Sequence, residues 1–146
     1  MNAPVFVDTN VLIYAIDSTD AKKQEAAFRW RELLWKKRRG RVSFQVLQEF
    51  YANVLRKRPN ARDEARAEVR DLMEWDPIAA DQQTIELAWK LQDRYKLSFW
   101  DALIVAAAKS AECGYLLSED LQANQDIAGI LVVNPFATEP ASLGGW

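Results

Sequence analysis

Four short strand-like runs that contain apolar residues alternate along the sequence with longer segments in which apolar residues recur at helical spacing. The runs occupy residues 5–7, 41–44, 115–118 and 130–133. Apolar runs of this length predict buried strands. Strands that alternate with helices favour a parallel sheet covered by helices on both faces. The expected fold class is therefore α/β, with a short parallel central sheet flanked by helices.

The segments between these runs carry the start and stop signals of helices. Cap-type residues stand at 8–10 and 18–20, and Gly40, Pro59 and Gly114 stand where helices should end. Two helices are expected to follow the cap-type segments, and four more are expected over residues 46–58, 61–75, 81–95 and 99–112.

Length and composition predict a single domain. A chain of 146 residues can bury a full hydrophobic core, so we expect one domain over residues 1–137. A loose tail is expected over 138–146, where Pro, Gly and Ser are frequent. The N-terminus lacks a charged region followed by an apolar core, and the longest uncharged apolar run, 102–108, is too short to span a bilayer. We therefore expect a cytoplasmic protein.

Four carboxylates lie at the ends or edges of apolar segments. Asp8 follows the first run, Asp120 follows the third, Glu49 lies on the edge of an apolar helix face, and Asp101 opens the helix at 99–112. Ligands of parallel α/β sheets bind beyond the carboxyl ends of the strands, so Asp8 and Asp120 should share one edge. Each acid also has an ordinary explanation as a helix cap, a turn residue or half of a local ion pair, and Glu119 could take the place of Asp120.

The composition restricts what these carboxylates could do. The chain has no histidine and one cysteine, Cys113, which excludes imidazole bases, Ser-His-Asp triads and Cys/His zinc sites. Cys113 is expected to be a packing residue. Any hydrolytic chemistry must then depend on acids and a metal ion, and clustered carboxylates suit Mg²⁺ or Mn²⁺ and the phosphate chemistry that these ions support.

The charges are unevenly distributed. Residues 21–70 contain 15 Lys and Arg against 6 Asp and Glu, whereas the rest of the chain contains 4 against 15. The basic region could attract a polyanion such as RNA, although amphipathic helices with solvated faces would give the same pattern. The candidate RNA contacts are a cluster and a stripe at four-residue spacing: Lys36, Lys37, Arg38, Arg39 and Arg41, and Arg62, Arg66 and Arg70.

The ordered set of motifs strongly resembles the PIN-domain family, and most closely the VapC-type toxin ribonucleases of toxin–antitoxin pairs. The resemblance extends from Val5 to Phe136. It rests on Val-Asp-Thr-Asn-Val-Leu at 7–12, Gln-Glu-Phe-Tyr at 48–51, Ser-Phe-Trp-Asp-Ala-Leu-Ile at 98–104, Leu-Leu-Ser-Glu-Asp-Leu-Gln at 116–122 and Val-Asn-Pro-Phe at 133–136.

The resemblance implies a PIN-like three-layer sandwich and a Mg²⁺- or Mn²⁺-dependent endoribonuclease that forms a homodimer and is inhibited by a cognate antitoxin. It implies that the catalytic, metal-binding acids are Asp8, Glu49, Asp101 and Asp120, with Asn10 and Ser118 as polar support. Many relatives carry a further acid where this chain has Gln122, so the number of metal ions stays open.

Two other functions compete with this interpretation. A haloacid-dehalogenase-like phosphatase would use Asp8 as its nucleophile, but it needs a second Asp where this chain has Asn10. A module that binds RNA or a protein partner without cutting would keep the fold and would not need intact acids.

Overall fold

The computed structural model describes residues 3–146, and a five-stranded sheet forms its centre. The sheet order is β2-β1-β3-β5-β4, and all neighbours pair in parallel except β4, which is antiparallel to β5. The strands are β1 (Val5–Val7), β2 (Gly40–Arg41), β3 (Tyr115–Leu117), β4 (Asp126–Ile127) and β5 (Ile130–Val133). The predicted α/β class with a parallel central sheet is confirmed.

Within residues 3–146, six α-helices accompany the sheet. They are α1 (Thr9–Ile16), α2 (Ala21–Lys36), α3 (Phe44–Lys57), α4 (Arg62–Leu72), α5 (Gln82–Tyr95) and α6 (Phe99–Ser110). Helix α6 packs on α5 and on β3 and β5, and residues 102–108 are all buried, as expected of a central helix. No helix within residues 3–146 combines the length and apolarity needed to cross a membrane.

Polar side chains fix where the helices begin. Ser43 caps α3 by accepting a hydrogen bond from the backbone N–H of Val46 at 3.2 Å. This capping explains why β2 covers only Gly40–Arg41 and not the predicted 41–44, because Ser43 and Phe44 already belong to the start of α3. Gly40 is required there, since a Cβ would lie 2.6 Å from the Trp75 indole.

The C-terminal segment was predicted to be a loose tail, but the structure packs it against α2. Residues Pro140–Leu143 form a 3-10 turn, and the Trp146 ring lies edge-on to Trp30 with their centroids 6.5 Å apart. The Arg39 guanidinium donates to the Gly144 carbonyl at 2.8 Å and lies 4.2 Å from the Trp146 ring centroid. The composition of the segment does not reveal these contacts, because their partners are distant in sequence.

Candidate functional site

The four predicted acids surround one small cavity at the carboxyl edge of the parallel strands. Asp8 directly follows β1, Asp120 follows β3, Glu49 projects from α3 and Asp101 lies in the first turn of α6. The cavity has a volume of about 100 Å³ and is lined by Asp8, Thr9, Asn10, Gln45, Glu49, Asn53, Trp100, Asp101, Ile104 and Asp120. The fold therefore brings together carboxylates that are up to 112 positions apart in the sequence.

Asp8 is both a helix cap and a cavity residue. One carboxylate oxygen accepts from the backbone N–H of Thr9 at 2.8 Å, and the other accepts from the Ser118 hydroxyl at 2.8 Å. The pKa of Asp8 is raised from 3.8 to about 6, mainly by burial and to a smaller extent by the nearby charges of Asp120 and Asp101, while its hydrogen bonds with Ser118 and Thr9 oppose the rise. The ionised form of Asp8 is thus held at a free-energy cost in the metal-free protein.

Asp120 is the acid that faces the cavity after β3. Its carboxylate accepts from the Asn10 amide at 2.8 Å, and its backbone N–H donates to the Ser118 hydroxyl at 3.2 Å. Burial and then the Glu119 charge raise the pKa of Asp120, while the Asn10 hydrogen bond opposes the rise. Glu119 does not line the cavity and instead forms a salt bridge with Lys23 at 2.8 Å.

Glu49 and Asp101 are held in different ways. The Glu49 carboxylate accepts from the Thr9 hydroxyl at 3.0 Å and from the Gln45 amide at 2.9 Å. Ser98 caps α6 by accepting from the backbone N–H of Asp101 at 3.2 Å. The capping role is therefore filled by Ser98, and the Asp101 carboxylate accepts no hydrogen bond from any other described residue.

The cavity suits a cation. Among residues 3–146, no Lys or Arg side chain forms a salt bridge with any of its four acids. The side-chain carbonyl oxygen of Gln45 is buried there without a hydrogen-bond donor. Carboxylate and amide oxygens are the hard ligands that Mg²⁺ and Mn²⁺ prefer, so the donor set fits such an ion.

The acids are not preassembled as a complete coordination shell. The described part of the chain contains no group of three acidic side chains already placed to hold one ion. Mg²⁺ usually keeps several waters and binds through one or two carboxylates together with substrate phosphates. The arrangement therefore fits an ion that is held partly by water and substrate.

Comparison with protein families assigns the chain. The PIN domain family model matches residues 5–126, which is most of its length. The chain belongs to the PIN domain family. This finding confirms the predicted family, whose members are generally nucleases, and the matched range contains all four acids of the cavity.

A solved structure shares the fold of this PIN domain. It is described as a toxin-antitoxin complex from Klebsiella pneumoniae, and it superposes with a TM-score of 0.65 at 23% sequence identity. The match covers 90% of this chain and 97% of that chain. A search of curated proteins returned no match.

Several cavity residues of this PIN domain were not singled out as site residues from the sequence. Gln45 and Thr9 hold Glu49, and Asn53 and Trp100 complete the wall. For Gln45 and Asn53 the available signal was their four-residue spacing from Glu49, which places all three on one face of α3. Only Glu49 was named as a site residue on that face.

The basic candidates lie outside the acid cavity, and one of them was wrongly chosen. Arg39 is only 4% exposed, and its guanidinium donates to the carbonyls of Ala3 and Gly144, each at 2.8 Å. Arg39 is therefore a structural residue and is not available to RNA. The sequence could not distinguish Arg39 from the neighbouring basic residues, because its burial depends on the distant C-terminal segment.

The other basic candidates lie on the surface or line a second cavity. Arg66 donates to the Tyr51 hydroxyl at 3.0 Å, and Lys36, Lys37 and Arg62 are exposed. The fold brings the two predicted basic sets together, because a second cavity of about 600 Å³ is lined by Trp35, Arg38, Arg41, Arg70, Asp71, Glu74, Trp75 and Asp76. Its arginines and acids balance in charge.

Proposed function

We propose that this PIN domain is a metal-dependent endoribonuclease that hydrolyses RNA phosphodiester bonds and acts as the toxin of a type II toxin–antitoxin pair, of the VapC type. The observation that carries the proposal is the convergence of Asp8, Glu49, Asp101 and Asp120 on one cavity, where no Lys or Arg of residues 3–146 forms a salt bridge with them. A phosphodiester is itself anionic, so four unpaired acids could accept it only together with a positive ion.

In this proposal Asp8, Asp101 and Asp120 hold Mg²⁺ or Mn²⁺. A bound divalent ion supplies positive charge that neutralises the phosphate and assists the attacking water and the leaving oxygen. Ser118 and Asn10 support the site by fixing the carboxylates of Asp8 and Asp120.

Glu49 serves in this proposal as a further ligand of the ion or as the base that orients the attacking water. Both of its carboxylate oxygens already accept a hydrogen bond, from Thr9 and Gln45. Those two contacts fix the direction of its free lone pairs, which lets it accept a proton from a water in the cavity. Gln45 and Thr9 are positioning residues in this scheme.

The phosphatase alternative is disfavoured by Asn10. Its side-chain nitrogen donates to Asp120 at 2.8 Å, and an amide cannot serve as the general acid that this mechanism requires. A binding module that does not cut RNA would leave four converging acids without a role, so the enzyme is the better proposal.

Cleavage of single-stranded RNA tests the enzyme. Cleavage should require Mg²⁺ or Mn²⁺ and stop in EDTA. Asp101→Asn should reduce the rate by about 100-fold or more, since changes next to metal ligands alone cost about 10- to 100-fold. Glu119→Gln is the matched control, because Glu119 is an adjacent acid outside the cavity, and it should retain activity. Full cleavage after rigorous chelation would contradict the metal mechanism.

The toxin role rests on the resemblance to VapC-type proteins and on the structural neighbour, which is described as a toxin-antitoxin complex. We propose a cognate antitoxin as partner, a homodimer as the assembly, and the cytoplasm as the place of action, where RNA and antitoxin are made. Exposed apolar side chains on α3 and after α4, Phe44 and Met73, border a groove of about 390 Å³ that could serve such contacts.

Expression in a bacterial host tests the toxin role. Wild-type protein should arrest growth, and Asp101→Asn should relieve the arrest. Co-expression of a small protein encoded beside it should also relieve the arrest. Unimpaired growth at high levels of active enzyme would point to a nuclease with another cellular role.

A further inference from the structure

Trp100 is an exposed aromatic residue at the edge of the acid cavity. Its side chain is 62% exposed, which is the largest value among the exposed large hydrophobic residues of the described chain. It lines the cavity together with Asp101, its neighbour in the first turn of α6. Phe99 contacts it edge-on, with ring centroids 5.2 Å apart and an interplanar angle of 70°.

The surroundings of Trp100 indicate what could cover it. Apart from Trp100 and Ile104, the cavity is lined by carboxylates, amides and a threonine. An apolar protein surface placed on the indole would also desolvate neighbouring unpaired acids, which is unfavourable. A nucleobase avoids this cost. It presents a flat face to the indole, and the phosphate of the same strand would bind beside it at the acids and their cation.

We propose that Trp100 is the stacking platform for an unpaired base next to the scissile phosphate. The inference rests on the proposed ribonuclease function and adds a substrate-positioning residue to it. Trp100 and Asp101 are consecutive, so a phosphate at the acids leaves its own nucleoside, or the next one, within reach of the indole. A base can stack in this way only when it is not held in a duplex, so the site selects single-stranded RNA.

Binding to two probes tests the role of the indole. The probes are a short labelled oligoadenylate and a ribose-phosphate oligomer of equal length without bases, each measured with Mg²⁺ in the Asp101→Asn background so that neither is cut. Trp100→Ala should weaken oligoadenylate binding by about 5- to 100-fold, the range found when one aromatic stacking partner is removed. It should leave binding of the abasic probe unchanged, and Trp100→Phe should restore most of the loss.

Trp89 provides the matched control. It is 54% exposed, lies on α5 and does not line the acid cavity, so Trp89→Ala should change binding of neither probe. An equal loss of both probes in Trp100→Ala would overturn the stacking role and indicate general damage to the site. Unchanged binding of both probes by Trp100→Ala would also overturn the stacking role. If Trp100→Ala instead changed the oligomeric state measured by light scattering, Trp100 would be assigned to a protein–protein contact.

RNA cleavage by the wild-type chain separates this inference from the function on which it rests. If the wild type cleaves RNA but Trp100→Ala cleaves it with unchanged KM and kcat, only the stacking role fails. If the wild type neither binds nor cleaves RNA, both fail. The expected pattern is a raised KM for single-stranded RNA with a smaller change in kcat.

Discussion

Asp8→Asn should stabilise the metal-free protein near neutral pH and lose that advantage in acid. Burial raises the pKa of Asp8 from 3.8 to about 6 in the folded protein. Between these pH values the native state holds more protons than the unfolded state, so the free energy of unfolding of the wild type falls as the pH rises from about 4 to about 6. An asparagine carries no charge at any pH and escapes this loss.

The magnitude follows from the pKa and from two hydrogen bonds. The rise in pKa corresponds to about 3 kcal/mol, since each tenfold change in proton affinity is worth about 1.4 kcal/mol. Asparagine can still accept from the Thr9 N–H as a cap, but its amide nitrogen cannot accept from Ser118, and losing that bond costs about 1 kcal/mol. The expected net effect is a gain of about 2 kcal/mol at pH values above 7 and a loss of about 1 kcal/mol near pH 4.

Urea titrations in EDTA at about pH 4 and about pH 7.5 measure the difference in free energy of unfolding between Asp8→Asn and the wild type. The other titrating groups are the same in both proteins, so their contributions largely cancel. Asp20→Asn is the control, because Asp20 caps α2 at an exposed position by accepting from the Lys23 N–H. It should stay close to wild type at both pH values. A stability difference of the same sign and size for Asp8→Asn at both pH values would refute the reasoning. Added Mg²⁺ should stabilise the wild type more than Asp8→Asn at neutral pH.

Three further outcomes are expected. Thermal melts of metal-free Asp101→Asn should show an unchanged or higher midpoint, because Ser98 and not Asp101 caps α6, and a large drop would show that Asp101 is structural. Reversing Arg66 and Arg70 to Glu should weaken RNA binding and reduce the slope of log Kd against log salt by about 2, whereas an unchanged slope would make these residues ordinary surface. Arg39→Ala should lower the free energy of unfolding by about 3 kcal/mol, because the substitution removes two hydrogen bonds of a charged group, while Arg38→Ala, measured by the same urea titration, should change it little.

The sequence predicted the parts of the fold that have local causes. Apolar runs marked β1, β3 and β5, and cap-type residues marked the starts of α1 and α2, because strand burial and helix capping act over a few neighbouring residues. The short strand β4 was missed, since a two-residue strand carries no periodicity. Its turn depends on Ala128 and Gly129, whose φ angles of 53° and 90° are not evident from an Ala-Gly pair.

The acids of the site were found for a different reason. A parallel sheet places the carboxyl ends of its strands on one edge, so the topology alone brings Asp8 and Asp120 together. No such rule identifies Trp100, and Gln45 could be inferred only from its four-residue spacing from Glu49 on α3. The prediction for Arg39 was wrong for a related reason. Its neighbours in sequence are basic, which indicates an exposed residue, but its burial depends on contacts with the distant residues Trp146 and Gly144.

Asp8 and Asp101 both lie at the start of a helix, but substitutions at the two positions test the catalytic role of the carboxylate with different directness. Asp8 combines the cap of α1 with a place in the cavity, so Asp8→Asn removes a charged ligand and at the same time breaks the hydrogen bond with Ser118. At α6 the two tasks are divided between residues, since Ser98 provides the cap and Asp101 contributes only its carboxylate to the cavity. If Asp101→Asn loses cleavage but keeps its stability, the loss is due to the missing carboxylate in the cavity. The same loss in Asp8→Asn must first be corrected for the change in folding free energy.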